Sequence, residues 1–123
     1  MAETLYDRIG GDVAVMAAVQ RFYERVLADP RVSRFFVDLD MDVQVSKQVA
    51  FVTWALGGPA EYRGRPLRAA HAKLVADEGL GDEHFDAVTS LLREAIEEMG
   101  VQAADVDEAM AVIASQRDEV LGR

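Results

Sequence analysis

The chain of 123 residues contains no cysteine, and both histidine and proline are scarce. The absence of cysteine excludes disulfides, thiolate-bound zinc, iron–sulfur clusters and thiol catalysis. The sequence also lacks any run of the roughly 18 apolar residues that a membrane-spanning helix requires. Its first residues include acidic side chains and no long apolar block, so we expect no secretory signal. The lack of cysteine is compatible with a reducing cytoplasm, and we expect a cytoplasmic protein that does not span a membrane.

Basic residues are in the minority, with 13 Lys and Arg against 22 Asp and Glu and a formal net charge of −9. This charge repels phosphate backbones, which makes nucleic acid and anionic membranes poor partners. Half of the residues are hydrophobic, which is typical of a chain with a packed core. We therefore expect one domain over residues 1–123, a monomer kept dispersed by its acidic surface.

Strand patterns are lacking, because the β-branched residues recur at helical spacing and not in alternation. Glycine and proline divide the chain into pieces of helical length. In the second piece the apolar stripe consists of Met16, Val19, Tyr23 and Val26. These patterns predict an all-α fold. The expected helices span residues 3–9, 12–27, 42–56, 67–75, 82–100 and 106–120.

Common catalytic motifs are missing as well. The two histidines, His71 and His84, form neither an H-E-x-x-H nor a Glu-x-x-His pattern, so ligands for zinc or a di-iron centre are lacking. The sequence has no P-loop, dinucleotide fingerprint or G-x-S-x-G motif. The sequence therefore lacks the residue patterns that common hydrolases and transferases use for catalysis. His84 follows a candidate helix start, and we expect it to lie on the surface.

His71 is a candidate metal ligand. Leu67 lies four residues before it, and Leu74 and Val75 lie three and four residues after it, so all three share its face of a helix. A histidine on an apolar face can bind the metal of a hydrophobic cofactor. More commonly, it is a core histidine with a hydrogen bond to one ring nitrogen. This segment alone favours the second interpretation.

The preceding long helix places polar side chains on an apolar stripe. Gln44, Gln48, Phe51 and Ala55 recur there at helical spacing. A buried amide needs hydrogen-bond partners, and so does the hydroxyl of Tyr23 on the stripe of the second helix. The glutamines either lie at a solvated edge of the helix or face a polar ligand inside a dry pocket. The residues by themselves leave both interpretations open.

Seven short motifs follow one another along the chain: LYDRIGG, FYERVLADP, RFF, KQVAF, ALGGP, LRAAHAKL and GDEHFDAV. In their order and spacing, over nearly the whole chain, they resemble group I truncated hemoglobins. The resemblance implies a two-over-two helical sandwich that holds heme b. It also implies that the paired glycines at 10–11 and 57–58 permit the tight turns of a shortened globin.

The same resemblance implies roles for individual residues. His71 matches the proximal ligand of the heme iron, and Phe36 matches the phenylalanine that packs on the heme face. Tyr23, Gln44 and Gln48 match the polar cluster on the distal side, where they would stabilise a bound gas. Further residues implied to bind the cofactor are Phe51, Tyr62 and Leu67.

Lys47 lies between the two glutamines, and two roles are open for it. Some members of the family place a histidine or lysine here as a sixth iron ligand, which requires a deprotonated amine. Alternatively, the ammonium group of Lys47 pairs with a heme propionate or with solvent.

Two positions depart from patterns found in parts of the family. The C-terminal ASQRDEVLGR contains no histidine, so covalent heme attachment through such a residue is excluded. Val52 stands where some members gate a ligand tunnel with phenylalanine, which puts a gated tunnel in doubt.

The function implied by the resemblance is reversible binding of O2, CO and NO. A further implied activity is the conversion of NO to nitrate through the oxygenated form, with a reductase that the sequence does not identify. Two other functions stay open. One is a cofactor-free acidic helical interaction module, and the other is a six-coordinate hemoprotein for electron transfer or sensing.

Overall fold

The computed structural model describes residues 3–59 and 67–123, with Leu67 described by its backbone alone. These residues form helices, turns and loops and contain no strand, which confirms the predicted all-α fold. No described helix is both long and apolar enough to span a membrane. A 3-10 helix covers Ser33–Phe36. The α-helices are α1 (Leu5–Ile9), α2 (Gly11–Ala28), α3 (Met41–Ala55), α4 (Leu67–Glu78), α5 (Asp82–Glu98), α6 (Ala103–Ala114) and α7 (Arg117–Leu121).

The core lies mainly between α2 and α5, which pack against each other more extensively than any other pair of described helices. Val19, Phe22 and Val26 of α2 are at most 2% exposed. Full burial of each such side chain contributes about 1.5–3 kcal/mol to folding. Met16, predicted on the same stripe, is instead 41% exposed, because Val15 occupies the buried face one residue earlier. The buried residues of α5 are Phe85, Ala87, Leu91, Leu92, Ala95 and Ile96.

The N-terminal helix ties the start of the chain to the end of α3. Thr4 and Asp7 begin α1 with a reciprocal capping box. The backbone N–H of Tyr6 then donates to the carbonyl of Leu56 at 2.9 Å. Gly58 approaches the Tyr6 ring so closely that a Cβ at this position would lie 2.7 Å from it. The second glycine pair therefore includes a position where close packing leaves no room for a side chain.

The prediction of one continuous last helix is wrong, because the structure divides that segment into α6 and α7. The hydroxyl of Ser115 donates to the carbonyl of Val112 at 2.5 Å. A serine hydroxyl that bonds a carbonyl one turn back competes with the backbone hydrogen bonds and often bends a helix, and this bond coincides with the end of α6. The short α7 that follows packs against α4.

The helix α4 is held at both ends while few of its side chains reach the core. At its start, Arg68 donates from Nη2 to the carbonyl of Arg123 at 2.8 Å. At its end, Arg34 donates to the carbonyl of Glu78 at 2.9 Å. None of the described side chains of α4, residues 68–78, is buried. α4 is therefore fixed in position although its inner face is incompletely covered by protein.

Candidate functional site

Tyr23 brings a polar group into the core from α2. Its side chain is 6% exposed, and its ring lies 4.9 Å from that of Phe22 and 5.8 Å from that of Phe36, between centroids. The hydroxyl donates to the carbonyl of Gln44 at 3.4 Å, which is long for a bond between two oxygens. Burial raises the pKa of Tyr23 to about 12, so the hydroxyl stays protonated at neutral pH. The Tyr23 hydroxyl is therefore a buried hydrogen-bond donor that makes only a long, weak bond to the carbonyl of Gln44.

Gln44 and Gln48 lie one turn apart on α3 and therefore share one face of this helix. Both side chains are half-buried. Across residues 3–59 and 67–123, neither side-chain amide makes a hydrogen bond. Together with the hydroxyl of Tyr23, these amides give three groups that can donate hydrogen bonds in surroundings partly removed from water.

Apolar side chains of α3 surround these donors. Within α3, all of which is described, only Val52 and Thr53 are buried. Met41, Val45 and Val49 are partly buried and pack against the edge of the core. Their spacing of four residues places them on the stripe that also contains the glutamines. The sequence analysis missed these three residues, although their spacing was a signal that could have identified them.

His71 lies on the inner side of α4. It is half-buried, whereas Ala70 and Ala72 on either side of it are exposed. Leu74, three residues further and so on the same face, packs against the core. The imidazole of His71 therefore faces the interior side of α4 and not bulk solvent.

The helices α3 and α4 are supported by different neighbours. α3 packs on α2 and α6, whereas the main support of α4 is α7. Both helices direct half-buried apolar side chains towards the core. Apolar side chains with a few polar groups among them are the usual lining of a cofactor site. Chemically, these residue types can hold a hydrophobic group whose metal binds an imidazole.

The other predicted site residues occupy different environments. Phe36 is half-buried and packs edge-on against the ring of Tyr23, so the structure joins both Phe36 and Gln44 to Tyr23. The ring of Phe51 is half-buried and lies 6.1 Å from that of Trp54, between centroids. Lys47 is exposed. Tyr62 and the side chain of Leu67 lie outside the described residues.

The prediction that His84 lies on the surface is wrong. Its side chain is 14% exposed, and its ring lies edge-on to that of Phe35 at 5.0 Å between centroids. Its Nδ1 accepts the backbone N–H of Gly81 at 2.9 Å. His84 therefore caps the start of α5 through a local bond, whereas its burial depends on Phe35, a neighbour distant in sequence.

Comparison with known proteins gives the family. A family model of bacterial-like globins matches residues 4–121. The chain belongs to the bacterial-like globin family. A group 1 truncated hemoglobin from Synechocystis is 50% identical to this globin over 109 residues, which cover 89% of this chain and 88% of that protein. The predicted resemblance to group I truncated hemoglobins is thereby confirmed.

Solved structures support the same conclusion for the fold. A 2/2 hemoglobin from Synechococcus, in the cyanomet state and with covalently attached heme, is 43% identical to this globin with a TM-score of 0.94. The match covers 98% of this chain and 100% of that chain. The predicted two-over-two helical sandwich is therefore confirmed.

A third relative also contains a tyrosine and two glutamines at the spacing of Tyr23, Gln44 and Gln48. The truncated hemoglobin from Tetrahymena pyriformis, in its Fe(III) form, is 41% identical to this globin with a TM-score of 0.89, over 98% of this chain and 100% of that chain. Other structures of that hemoglobin contain single substitutions of one tyrosine and two glutamines. Those three positions have the same residue types and the same spacing as Tyr23, Gln44 and Gln48.

Proposed function

We propose that this globin binds heme b and, through it, reversibly binds O2, CO and NO. The observation that carries the proposal is the hydroxyl of Tyr23, a buried and protonated donor whose acceptor is 3.4 Å away. A buried donor costs free energy unless it is well paired, so this one is suited to a polar ligand that arrives with the cofactor.

The residues present fit a flat apolar group that contains iron. Phe36, Val45, Val49 and Leu74 are half-buried apolar side chains contributed by the 3-10 helix, α3 and α4. A heme placed against them would remove their remaining apolar surface from water. His71, on the inner side of α4, would hold the iron, because imidazole is the usual proximal ligand in globins.

When bound, heme supplies a ferrous iron that binds diatomic gases. Tyr23 would donate its hydroxyl proton in a hydrogen bond to the bound gas. The side chain of Tyr23 is 6% exposed and two phenylalanine rings pack on its ring, and low polarity around a donor strengthens its hydrogen bond to a negatively polarised acceptor. A hydrogen bond to a charged group contributes about 1.5–3 kcal/mol. Tyr23 is therefore expected to slow the release of O2.

Gln44 and Gln48 would assist from α3. Their amide N–H groups have no partner in the described part of the chain, so each has a donor to offer a ligand. Gln44 has a second task, since its backbone carbonyl holds the Tyr23 hydroxyl on the side of α3. This bond brings the Tyr23 hydroxyl of α2 next to the backbone of α3 at Gln44.

Slow release of O2 favours a reaction of O2 over its transport, and we propose conversion of NO to nitrate. One NO, one O2 and one electron from the reduced protein give one nitrate ion. Each turnover therefore requires a separate reductase to return that electron. We place this globin in the cytoplasm as a monomer. If the reduced, O2-saturated protein forms no nitrate when mixed with NO, this activity is rejected.

Lys47 belongs at the mouth of the proposed site. Its side chain is exposed on α3, which favours pairing of its ammonium group with a heme propionate or with solvent. Binding the iron as a sixth ligand would require the amine to lose its proton and move inward.

The absorption spectrum of the purified protein tests heme binding. We expect stoichiometric uptake of added hemin with a Soret band, and a shifted band for the ferrous CO complex. His71→Ala is expected to remove or strongly alter this band. His84→Asn is the matched control, because it keeps an acceptor near the N–H of Gly81 and should leave the band unchanged.

Two other outcomes would lead to other functions. A folded helical protein that shows no Soret band of bound heme after addition of hemin would favour the cofactor-free interaction module. A spectrum typical of six-coordinate iron in both oxidation states would favour electron transfer or sensing.

A further inference from the structure

The segment 37–43, between the 3-10 helix and the first turn of α3, exposes three large apolar side chains. Val37 is 67% exposed, Leu39 is 45% exposed and Val43 is 46% exposed. In the described part of the chain, seven large hydrophobic residues are exposed, and three of them fall within this segment. Exposed apolar side chains that cluster mark interaction sites, whereas scattered ones are ordinary.

Acidic side chains alternate with these apolar ones. Asp38, Asp40 and Asp42 are all exposed, and none forms an ion pair in the part of the chain that the structure describes. Asp40 also shapes the segment, because its Oδ1 accepts the backbone N–H groups of Asp42 and Val43 and caps α3. We call residues 37–40, 42 and 43 the acidic–apolar patch.

The acidic–apolar patch adjoins the proposed heme site at both ends. Phe36, which packs edge-on against Tyr23, directly precedes it. Gln44, whose carbonyl accepts the hydroxyl of Tyr23, directly follows it. A protein seated on the patch would therefore lie next to the residues that line the proposed site.

The charge of the patch selects the occupant. A second copy of this globin would bring the same three carboxylates face to face, and anionic lipid or nucleic acid would also be repelled. A basic protein with an apolar contact surface would complement both the carboxylates and the exposed Val and Leu side chains. Lys47, one turn beyond Val43, lies at the edge of the patch.

We propose that the acidic–apolar patch is the docking surface for a basic electron-carrier protein. One electron passes from the reduced carrier to ferric heme, so the carrier is oxidised by one electron and the iron becomes ferrous. This inference rests on the proposed heme function. The carrier would supply the electrons that the conversion of NO to nitrate consumes.

Ferric cytochrome c is a suitable probe of the docking surface, because it is a basic protein whose axial methionine raises its potential. It accepts one electron from the ferrous globin, which is the reverse of the proposed transfer across the same contact. The ferrous, heme-loaded globin is mixed with it without O2, and the second-order rate is measured against ionic strength. Asp38→Asn/Asp42→Asn removes two charges and keeps the cap of Asp40. Glu24→Gln/Asp77→Asn is the matched control, which removes two exposed charges from α2 and α4. We expect the patch variant to slow the reaction about tenfold at low salt and the control less than about twofold.

The apolar part of the patch is tested separately. Val37→Ser/Leu39→Ser is expected to slow the reaction at low and at high salt, because salt does not screen apolar contacts. Equal slowing by the two charge variants would show that net charge alone acts and would overturn the proposal. So would an unchanged rate in Val37→Ser/Leu39→Ser.

Backbone amide shifts of the nitrogen-15-labelled globin, titrated with cytochrome c, locate the contact. We expect the perturbed amides to centre on residues 37–43, and a different centre would reject the docking surface. This measurement does not need the heme. If the Soret band is absent, the proposed function fails, while the shifts still decide whether the patch binds a basic protein.

Discussion

Two regions of this globin contain apolar helical faces but bury them to different extents. In the core region, α2 buries seven residues and α5 buries six. In the site region, the fifteen residues of α3 include two that are buried, and the described side chains of α4 include none. The core region is completed by protein alone. The site region presents apolar side chains that are only half-buried, and these are the side chains that the proposed heme would cover.

This difference has an energetic consequence. Apolar surface removed from water contributes about 25 cal/mol per Å² to stability, so an incompletely covered face forgoes part of that contribution. A ligand that binds the folded state restores it and stabilises the fold by mass action. We therefore expect the core region to govern the stability of the heme-free chain and the site region to govern the additional stability gained with heme.

Replacing one phenylalanine in each region gives the largest expected effect. Phe22→Ala, in the core region, should lower the free energy of unfolding by about 3–5 kcal/mol with or without heme. Phe51→Ala removes the same atoms from a half-buried position and should cost about 1–2 kcal/mol in the heme-free chain. Urea unfolding followed by circular dichroism measures both. If both variants lost the same free energy of unfolding in the heme-free chain, the proposed difference between the two regions would be wrong.

Tyr23 lies where the two regions meet. We expect its hydroxyl to affect the release of O2 and to have little effect on the stability of the fold. Tyr23→Phe should accelerate O2 dissociation about tenfold or more, since it removes a hydrogen bond worth about 1.5–3 kcal/mol. Its effect on stability should be small, because the bond to Gln44 is 3.4 Å long. Tyr6→Phe is the control, since it deletes a hydroxyl of α1 that donates at 3.4 Å to Asp12 in the first turn of α2. Stopped-flow rates that rise equally in both variants would show that Tyr23 has no special role.

Alkaline pH probes the burial of the same residue. Burial raises the pKa of Tyr23 to about 12 in the folded state, whereas the ordinary value is 10.0. Above the ordinary value the unfolded chain loses this proton and the folded chain keeps it. The stabilising contribution is therefore complete below pH 10.0 and is lost as the pH rises towards about 12. Urea midpoints of the wild-type protein should fall more steeply in this window than those of Tyr23→Phe, and parallel declines would indicate an exposed hydroxyl.

Lys47, at the exposed edge of the site region, should give the smallest effect. We expect the ferric spectrum to remain high-spin at alkaline pH and to be the same in Lys47→Ala. A low-spin alkaline form that Lys47→Ala abolishes would instead make Lys47 the sixth ligand. In that case its bond to iron should weaken as the pH falls and the amine regains its proton.

Local patterns were sufficient to predict most of the helices. Gly10-Gly11 and Gly57-Gly58 mark real interruptions, and the helix start near Asp42 was placed within one residue. Such signals are local because a cap or a positive backbone angle depends on a few adjacent residues. The break at Ser115 escaped prediction, since serine is tolerated within helices and its bond to the carbonyl of Val112 is visible only in the structure.

The candidate site was predicted less completely. Tyr23 contacts both Phe36 and Gln44, and all three residues were chosen by resemblance. The structure does not test the role of His71 in binding iron, which stays a prediction. The sequence reasoning overlooked three apolar residues of α3, namely Met41, Val45 and Val49. Apolar residues are common in helices, and which of them line a site is known only once the packing of the helix is known. His84 was misplaced because its burial depends on Phe35, which is nearly fifty residues away.

By itself, the sequence determined the all-α class, the family and the residue types available for a cofactor, because helix period, glycine breaks and motif order are properties of the chain. Only the tertiary structure decided which faces are buried. One residue corresponds to about 100° around a helix, so Met16 and Val15 exchange roles through a rotation that local spacing does not fix. The structure also decided that α3 and α4 remain partly uncovered, since burial is set by neighbours that are distant in sequence.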